Sequence, residues 1–384
     1  MLEHQRAILP LQRARSDRCS GAANRLELLM TIEAGNVRKV RLGAGTLEVS
    51  EIGCGTLAWG ETGMGFGSYY TETILSQAFK ELVEGGVNLI DTSEVYGRAS
   101  MREGSSSEQL IAKFRDQLPV DAPPVVLSSK FFPAPWSNTL VGGGVRLGRK
   151  AVVEAIRGSI TRLGCGQIDL YQMQFPFPYL GGQQALLEGF AEAVDFGLCK
   201  SVGVCNFDVN EIQEAHAILA KHGVPLASNQ VREMEISVLA YEPLAKGLLT
   251  GKFHEHQHQD GPQPTSMFSD SELLICRPIM NLLRLLGAFE GGRTTAQVAL
   301  NYIISKGAIP IVGVKNVGQA REVMGAAGWN LSDNDLKVSQ ILDERLVEMD
   351  AEMQRQDVQS TFGDKRGSFL GCLEELRLGE ILSN

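Results

Sequence analysis

The sequence contains no Cys-X-X-Cys pair, no excess of positive charge and no hydrophobic run long enough to span a bilayer. An odd, unpatterned set of seven cysteines is typical of reduced thiols in a reducing compartment. The net charge of −9 argues against nucleic acid as a partner, because that ligand favours clustered lysine and arginine. The sequence therefore predicts a soluble protein that binds neither nucleic acid nor a membrane.

The longest hydrophobic segment covers residues 273–289 and is interrupted by Arg277, Pro278 and Arg284. A membrane-spanning helix needs about 18–20 predominantly apolar residues, so this segment predicts a core helix instead. With 43% hydrophobic and 21% charged residues among 384, the chain can bury a full core.

The two ends of the chain differ in composition from its middle. Residues 1–37 are rich in arginine, as transit peptides are, but they also carry Glu3 and Asp17, which such peptides avoid. They are either a disordered extension or a transit peptide, which places the protein in the cytoplasm or in a chloroplast. Residues 345–384 are amphipathic and polar, which predicts a helical or disordered tail.

The middle of the chain, residues 38–344, alternates short apolar runs with longer amphipathic segments. Residues 39–50 predict an N-terminal β-hairpin. Eight strand-like runs follow, separated by segments with apolar residues at three-to-four spacing, which favours a parallel (β/α)₈ TIM barrel. The strands are predicted within residues 51–60, 87–93, 124–130, 168–176, 198–207, 225–231, 237–245 and 308–316. The helices are predicted at residues 71–85, 107–118, 150–163, 183–196, 209–221, 272–290 and 294–306.

One connection is too short for this architecture, so the predicted barrel is incomplete between strands 6 and 7. Only the five residues "REMEI" separate Val231 from Ser237, whereas a parallel crossover takes about a dozen or more. We expect the barrel to open here, to lose a strand, or to run one segment antiparallel. We also expect low stability, because apolar surface loses its cover.

Reactive side chains of a (β/α)₈ barrel collect where the strands end. Asp91 and Tyr96 follow strand 2, Lys130 ends strand 3 and Gln174 lies near the end of strand 4. A buried carboxylate needs a cationic partner, and Lys130 supplies one for Asp91. Lys130 near Tyr96 is expected to lower the pKa of the phenol, which would suit a proton donor. The alternative is an ion pair that only closes the barrel, with Tyr96 on a surface loop.

Three local patterns are open to simpler interpretations. Lys315 and Arg321 follow strand 8 and could hold a phosphate, although turn residues also explain such loops. The segment "GCGTLA" at 53–58 fits a loose dinucleotide-binding pattern, but no helix is predicted after it. The tract "HEHQHQ" at 254–259 is a solvated loop or a metal site, and we predict no metal.

Together these segments resemble the aldo-keto reductase superfamily, most closely its plastid and cyanobacterial oxidoreductase-like members. The resemblance rests on "IDTSEVYG", "VVLSSKF", "DLYQMQFP", "VGVCNF", "SNQV", "YEPLAKGLLTGKF" and "PIVGVKNVGQARE" in this order. It implies NADPH-dependent reduction of a small-molecule aldehyde or ketone, with hydride from nicotinamide and a proton from Tyr96. Asp91 and Lys130 would tune Tyr96, and Gln174 would orient the carbonyl. The cofactor would lie along Cys205, Asn206, Gln230, Tyr241, Pro243, Leu244, Lys252, Gly313, Lys315, Gln319 and Arg321.

The chain departs from the family pattern at several positions. Gln174 replaces a catalytic histidine, and Glu242 replaces a serine near the expected path of the pyrophosphate. Val323 replaces an asparagine that commonly holds adenine, and the crossover helix between strands 6 and 7 is missing. A second hypothesis is therefore a catalytically weak or silent NADP(H)-binding barrel protein. A third, an unrelated barrel enzyme such as a sugar-phosphate isomerase, is disfavoured by Asp91, Tyr96 and Lys130.

Overall fold

The computed structural model describes residues 37–43, 45–133, 146–177, 182–229, 237–253 and 270–337. All of them belong to one compact unit, Gly35–Asn384, and a second unit, Met1–Ala34, lies outside the described residues. The predicted N-terminal extension, the C-terminal tail and the histidine tract also fall outside them, as does Gln230.

The described part of the chain begins with a two-stranded antiparallel hairpin, β1 (Lys39–Arg41) and β2 (Glu48–Ser50), as predicted. Eight parallel strands follow in the order β8-β7-β6-β5-β4-β3-β10-β9, and they form a nearly closed barrel. They are β3 (Gly53–Gly55), β4 (Leu89–Asp91), β5 (Val126–Phe131), β6 (Ile168–Met173), β7 (Cys199–Val204), β8 (Leu226–Ser228), β9 (Leu239–Tyr241) and β10 (Ile309–Gly313). All eight predicted strands are confirmed.

Helices cover the outside of the sheet wherever the apolar spacing predicts them. They are α1 (Glu72–Glu84), α2 (Ser107–Asp116), α3 (Gly148–Leu163), α4 (Gly182–Asp195), α5 (Val209–Ala220), α6 (Asp270–Phe289), α7 (Thr295–Ser305) and α8 (Val317–Met324). The last of these was not predicted, since it has only 8 residues. Capping boxes begin α5 at Asp208 and α7 at Thr294, which explains why these two starts can be read from the sequence.

Three apolar clusters hold the barrel together. The largest lies between the sheet and helices α1 to α5, and a second joins α6 and α7 to Ala240. The third packs Leu42 and Val49 of the hairpin region against Leu89, Val126 and Leu170 near the amino ends of their strands. The hairpin region therefore covers the amino-terminal end of the barrel, which leaves the carboxyl ends of the strands for a site.

Between β8 and β9, a boundary that we call the seam, the described residues form one parallel bridge, Ser228 to Ser237. Two backbone hydrogen bonds make it: Asn229 N–H donates to Ser237 O at 3.0 Å, and Ser237 N–H donates to Ala227 O at 3.2 Å. The prediction of incompleteness at this seam is confirmed, but the alternatives of a lost or antiparallel strand are wrong. The predicted strand ran to Val231, whereas β8 ends at Ser228 and β9 starts beyond Ser237. Because of this stagger, the connection need not cover the length of a strand.

Candidate active site

Asp91 and Lys130 form a buried ion pair at the carboxyl ends of β4 and β5. Lys130 Nζ donates to Asp91 Oδ2 and also to Thr92 O, the latter at 3.0 Å. Both side chains are only 9% exposed. Since the two strands are neighbours in the sheet, the ammonium neutralises the carboxylate without leaving the barrel. The predicted pairing of these two residues is therefore present.

The same carboxylate is held on its other oxygen by two side chains that were not predicted. Ser128 Oγ donates to Asp91 Oδ1 at 2.8 Å, and Gln172 Nε2 lies 3.3 Å from the same oxygen. Gln172 Oε1 in turn accepts from Ser228 Oγ at 3.2 Å and from Cys205 Sγ at 3.4 Å. Polar residues inside otherwise apolar strand segments were the available signal for Ser128 and Gln172. The network connects the seam strand β8 to Asp91.

Tyr96 lies beside the ion pair, on the loop that follows β4. Lys130 Nζ is 5.3 Å from the centroid of the Tyr96 ring. Burial raises the pKa of the Tyr96 phenol, and the nearby ammonium of Lys130 opposes this shift without cancelling it. The expectation that Lys130 would lower this pKa below its ordinary value is therefore wrong, because desolvation favours the neutral phenol more strongly than the ammonium favours the phenolate.

The electrostatics of Lys130 keep it charged. Burial alone would lower the pKa of its ammonium, but Asp91 and Tyr96 outweigh burial and raise that pKa. Lys130 is thus a fixed positive charge beside the phenol. Cys205 next to it stays a neutral thiol, because burial raises its pKa to about 12.

Gln174 directly follows β6, so it lies at the carboxyl end of the barrel, as Asp91 and Lys130 do. Its backbone N–H donates to Phe131 O at 2.9 Å, and its backbone carbonyl accepts from Asn206 Nδ2 at 2.8 Å. Its side-chain oxygen Oε1 accepts from Ser93 Oγ at 2.7 Å. The structure therefore brings Gln174 to the loop that carries Tyr96, as predicted, and ties it to Ser93, which was not predicted.

Asn206 and Tyr241 join two distant strand ends. Tyr241 Oη donates to Asn206 Oδ1 at 2.5 Å, although the residues are 35 positions apart. Asn206 has a φ of 62°, in the left-handed region where asparagine is tolerated better than most residues. The two side chains and Cys205 therefore line the carboxyl side of the barrel together, as the cofactor prediction requires.

Lys252 and Lys315 form a patch of positive charge suited to an anion. Partial burial lowers the pKa of both ammonium groups, and the charge of Lys252 lowers that of Lys315 further. Their ammoniums lie over the rings of Phe253 and Tyr70, at 4.8 and 5.3 Å from the centroids. Within the described part of the chain, neither lysine forms an ion pair with a carboxylate. Two neighbouring cations of this kind would favour a bound anion.

The remaining predicted cofactor residues occupy different surroundings. Pro243 and Leu244 follow β9, Gly313 ends β10 with an exposed backbone, and Gln319 Oε1 accepts from Lys315 N–H at 2.7 Å. Arg321 lies two positions beyond Gln319 on α8, which is about 200° around a helix. Its Nε donates to Glu81 Oε1 on α1 at 2.8 Å. The structure thus places Gln319 with Lys315 and gives Arg321 a carboxylate partner.

Glu242, which was expected near the pyrophosphate, has an unusual backbone. Its φ is 50°, and a left-handed conformation is uncommon for a non-glycine residue. Partial burial raises the pKa of its carboxyl, and Lys246 opposes that shift.

Of the competing sequence patterns, only the "GCGTLA" segment lies within the described residues. The "GCGTLA" segment contains β3 and continues into a turn and a 3₁₀ segment, Thr62–Met64, without an α-helix. No cluster of histidine, cysteine, aspartate and glutamate among the described residues could hold a metal ion. None of the described helices is both long and apolar enough to cross a membrane.

Comparison with known proteins gives consistent matches. The model of the aldo/keto reductase family matches residues 51–234 and 232–344, in two parts that overlap at residues 232–234. The chloroplastic pyridoxal reductase of Arabidopsis thaliana is 32% identical over 284 residues, which cover 68% of this chain and 74% of that protein. The aldo-keto reductase YhdN of Bacillus subtilis is 28% identical, over 68% of this chain and 81% of that protein.

Solved structures agree on the fold. The glycerol dehydrogenase of Gluconobacter oxydans superimposes with a TM-score of 0.66 at 20% identity, over 85% of this chain and 99% of that one.

Proposed function

The chain belongs to the aldo/keto reductase family of oxidoreductases, and on that premise we propose that it reduces an aldehyde or ketone with NADPH, using Tyr96 as the proton donor. The observation that carries the proposal is the position of Tyr96 beside a lysine that is itself bonded to a buried carboxylate. This arrangement supplies a neutral acid and a permanent positive charge next to each other at the carboxyl ends of the strands.

The residues of the chain divide the chemistry between them. When bound, NADPH would supply the hydride that adds to the carbonyl carbon. Tyr96 gives its hydroxyl proton to the carbonyl oxygen as that oxygen gains negative charge, and the product is an alcohol. The Lys130 ammonium stabilises the phenolate that remains, and Asp91 holds Lys130 in place and keeps it charged. General acid catalysis of this kind contributes about 10²–10⁴-fold in rate.

Other described residues suit the binding of the cofactor. Asn206 and Tyr241, which are joined by a hydrogen bond, offer amide and hydroxyl groups for the nicotinamide. Lys252 and Lys315 offer two cations for its phosphates. The preference for NADPH over NADH rests on this second pair, because one extra phosphate adds negative charge that two ammonium groups favour.

The test compares the parent chain with Tyr96→Phe. The purified parent is incubated with NADPH and a panel of carbonyls that starts with pyridoxal, the compound in the name of the Arabidopsis relative. Loss of nicotinamide absorbance reports turnover, and quenching of tryptophan fluorescence reports binding. We expect Tyr96→Phe to abolish turnover and to bind NADPH nearly as the parent does, because the ring still fills its place.

The matched control is Tyr69→Phe, which removes a hydroxyl from an exposed tyrosine and should change neither quantity. If Tyr96→Phe keeps most of the parent's turnover, Tyr96 is not the donor. If the parent binds NADPH and reduces no carbonyl, the second hypothesis of a silent NADP(H)-binding barrel replaces the first.

The localisation of the protein depends on whether residues 1–37 are a transit peptide. The chloroplastic relative supports the transit-peptide interpretation of residues 1–37 over a plain extension. A fluorescent protein fused behind these residues would enter plastids if they are a transit peptide and would stay in the cytoplasm otherwise.

A further inference from the structure

Ser93 is a fully buried serine on the loop between Asp91 and Tyr96. Its hydroxyl donates to Gln174 Oε1 at 2.7 Å and accepts from the backbone N–H of Val95 at 3.4 Å. A serine hydroxyl has one proton to give, and the Gln174 oxygen is the acceptor that receives it. The contact therefore reaches from the proton-donor loop to the strand end that carries Gln174.

This contact determines which end of the Gln174 amide faces the site. If the amide rotated by 180°, Nε2 would lie against Ser93 Oγ, and the buried hydroxyl would lose its acceptor. Among the described residues no other acceptor is bonded to that hydroxyl, and leaving a buried donor without a partner is unfavourable. The Nε2 group is thereby turned away from Ser93.

Gln174 is a half-buried residue. Its Nε2 group is not among the buried side-chain atoms that lack a partner, which in the described part of the chain are Tyr171 Oη and His216 Nδ1. The backbone of Gln174 is fixed at both its N–H and its carbonyl, through Phe131 and Asn206. The backbone of Gln174 is therefore held in place, and its side chain offers two amide N–H donors.

We propose that Ser93 is a positioning residue, whose hydroxyl holds the Gln174 amide with its Nε2 donors facing the carbonyl oxygen that Tyr96 protonates. The inference rests on the proposed function and refines it. A fixed donor stabilises the negative charge that develops on the oxygen, whereas a free amide would present its own oxygen for part of the time and repel that charge. Ser93 thereby allows a glutamine to serve in place of the histidine implied by the family resemblance.

The kinetic test is a double-mutant cycle. We expect Ser93→Ala to lower kcat about ten-fold with a smaller effect on KM, because the lost contact matters most in the transition state. Gln174→Ala should lower kcat by a similar factor, and adding Ser93→Ala to it should have no further effect. The matched control is Ser100→Ala, which removes another buried hydroxyl, bonded to Gly60 O at 2.7 Å, and should leave kcat unchanged.

A second readout does not depend on turnover. The side-chain amide signals of Gln174 in a nitrogen-15 spectrum are assigned by their loss in Gln174→Ala. We expect Ser93→Ala to shift these signals and to speed their exchange with solvent, and Ser100→Ala to leave them in place.

The outcomes separate this inference from the proposed function. Unchanged Gln174 signals in Ser93→Ala would overturn it, and so would equal losses of kcat with and without the Gln174 side chain. A parent chain without reductase activity would defeat the proposed function, while the amide signals would still decide whether Ser93 holds Gln174.

Discussion

Lys130 Nζ bonds to the Asp91 carboxylate and lies 5.3 Å from the centre of the Tyr96 ring. The lysine therefore links a buried negative charge to a neutral acid. Asp91 has a second support from Ser128 and Gln172 on its other oxygen. Removing Lys130 alone should therefore destabilise the protein, whereas removing the charges of Lys130 and Asp91 together should not.

We predict that Lys130→Met lowers both stability and turnover, whereas the double variant Lys130→Met with Asp91→Asn recovers stability only. Removing one partner of a buried ion pair costs about 3–5 kcal/mol, because the other charge is left without compensation. The double variant leaves no such charge, but it also lacks the ammonium that stabilises the Tyr96 phenolate. Denaturant unfolding and NADPH oxidation measure the two quantities. Equal unfolding midpoints for the single variant and the parent would contradict the prediction.

We predict that carbonyl reduction does not decline from about pH 7 to about pH 9.5. The ordinary phenol pKa is near 10, and burial raises that of Tyr96, so the acid form persists throughout this range. Deprotonation would remove the proton donor only above the raised pKa. The measurement is kcat against pH, with circular dichroism to show that the chain stays folded. A decline with a midpoint below about pH 9 would indicate a lowered pKa instead.

We predict that Lys315→Met weakens NADPH binding by about ten-fold or more, since a charge-assisted hydrogen bond contributes about 1.5–3 kcal/mol. The loss should shrink at high salt, which screens exposed charges. Fluorescence titration measures it, and Lys80→Met is the control, because that lysine is exposed and paired with Glu84 on α1. If both variants bind NADPH as the parent does, Lys315 does not contact a phosphate.

We predict that a helical crossover of about a dozen residues, inserted after Val231, raises both the melting temperature and the affinity for NADPH. Among the described residues the seam has one bridge, whereas β5 and β6 share four register pairs. An added helix would bury apolar surface at about 25 cal/mol per Å². An insertion of equal length made of glycine and serine is the control and should stabilise nothing. A parent chain that melts cooperatively above about 50 °C and binds NADPH at micromolar concentration would oppose this prediction.

The sequence predicted the elements better than the contacts of the site. The alternating pattern located all eight barrel strands, and charge compensation between the ends of two successive strands paired Asp91 with Lys130. Ser93 and Ser228 could not be found in this way, because a serine in a loop or at the end of a strand has no distinctive spacing. They become recognisable only when the closed barrel brings strands distant in the sequence together.

Two errors share a physical origin. The direction of the Tyr96 pKa depends on how far burial outweighs a neighbouring charge, and burial is a property of the assembled barrel. The fate of the short connection after Val231 depended likewise on where β8 ends, which is the least certain feature of any strand read from sequence. The partner of Arg321 could not be read from the sequence either, because Glu81 lies 240 positions away on α1.

The bridge at the seam has a consequence for how this barrel loses activity on heating. Ser228 lies between Ala227 and Asn229, whose backbone groups bond to Ser237 across the seam, and its hydroxyl donates to Gln172, which in turn supports Asp91. A brief separation of β8 from β9 would therefore loosen the carboxylate that holds Lys130 before any other wall of the barrel gives way. Thermal inactivation should accordingly precede the collapse of secondary structure, and it should reverse on cooling as long as the remaining strands stay paired.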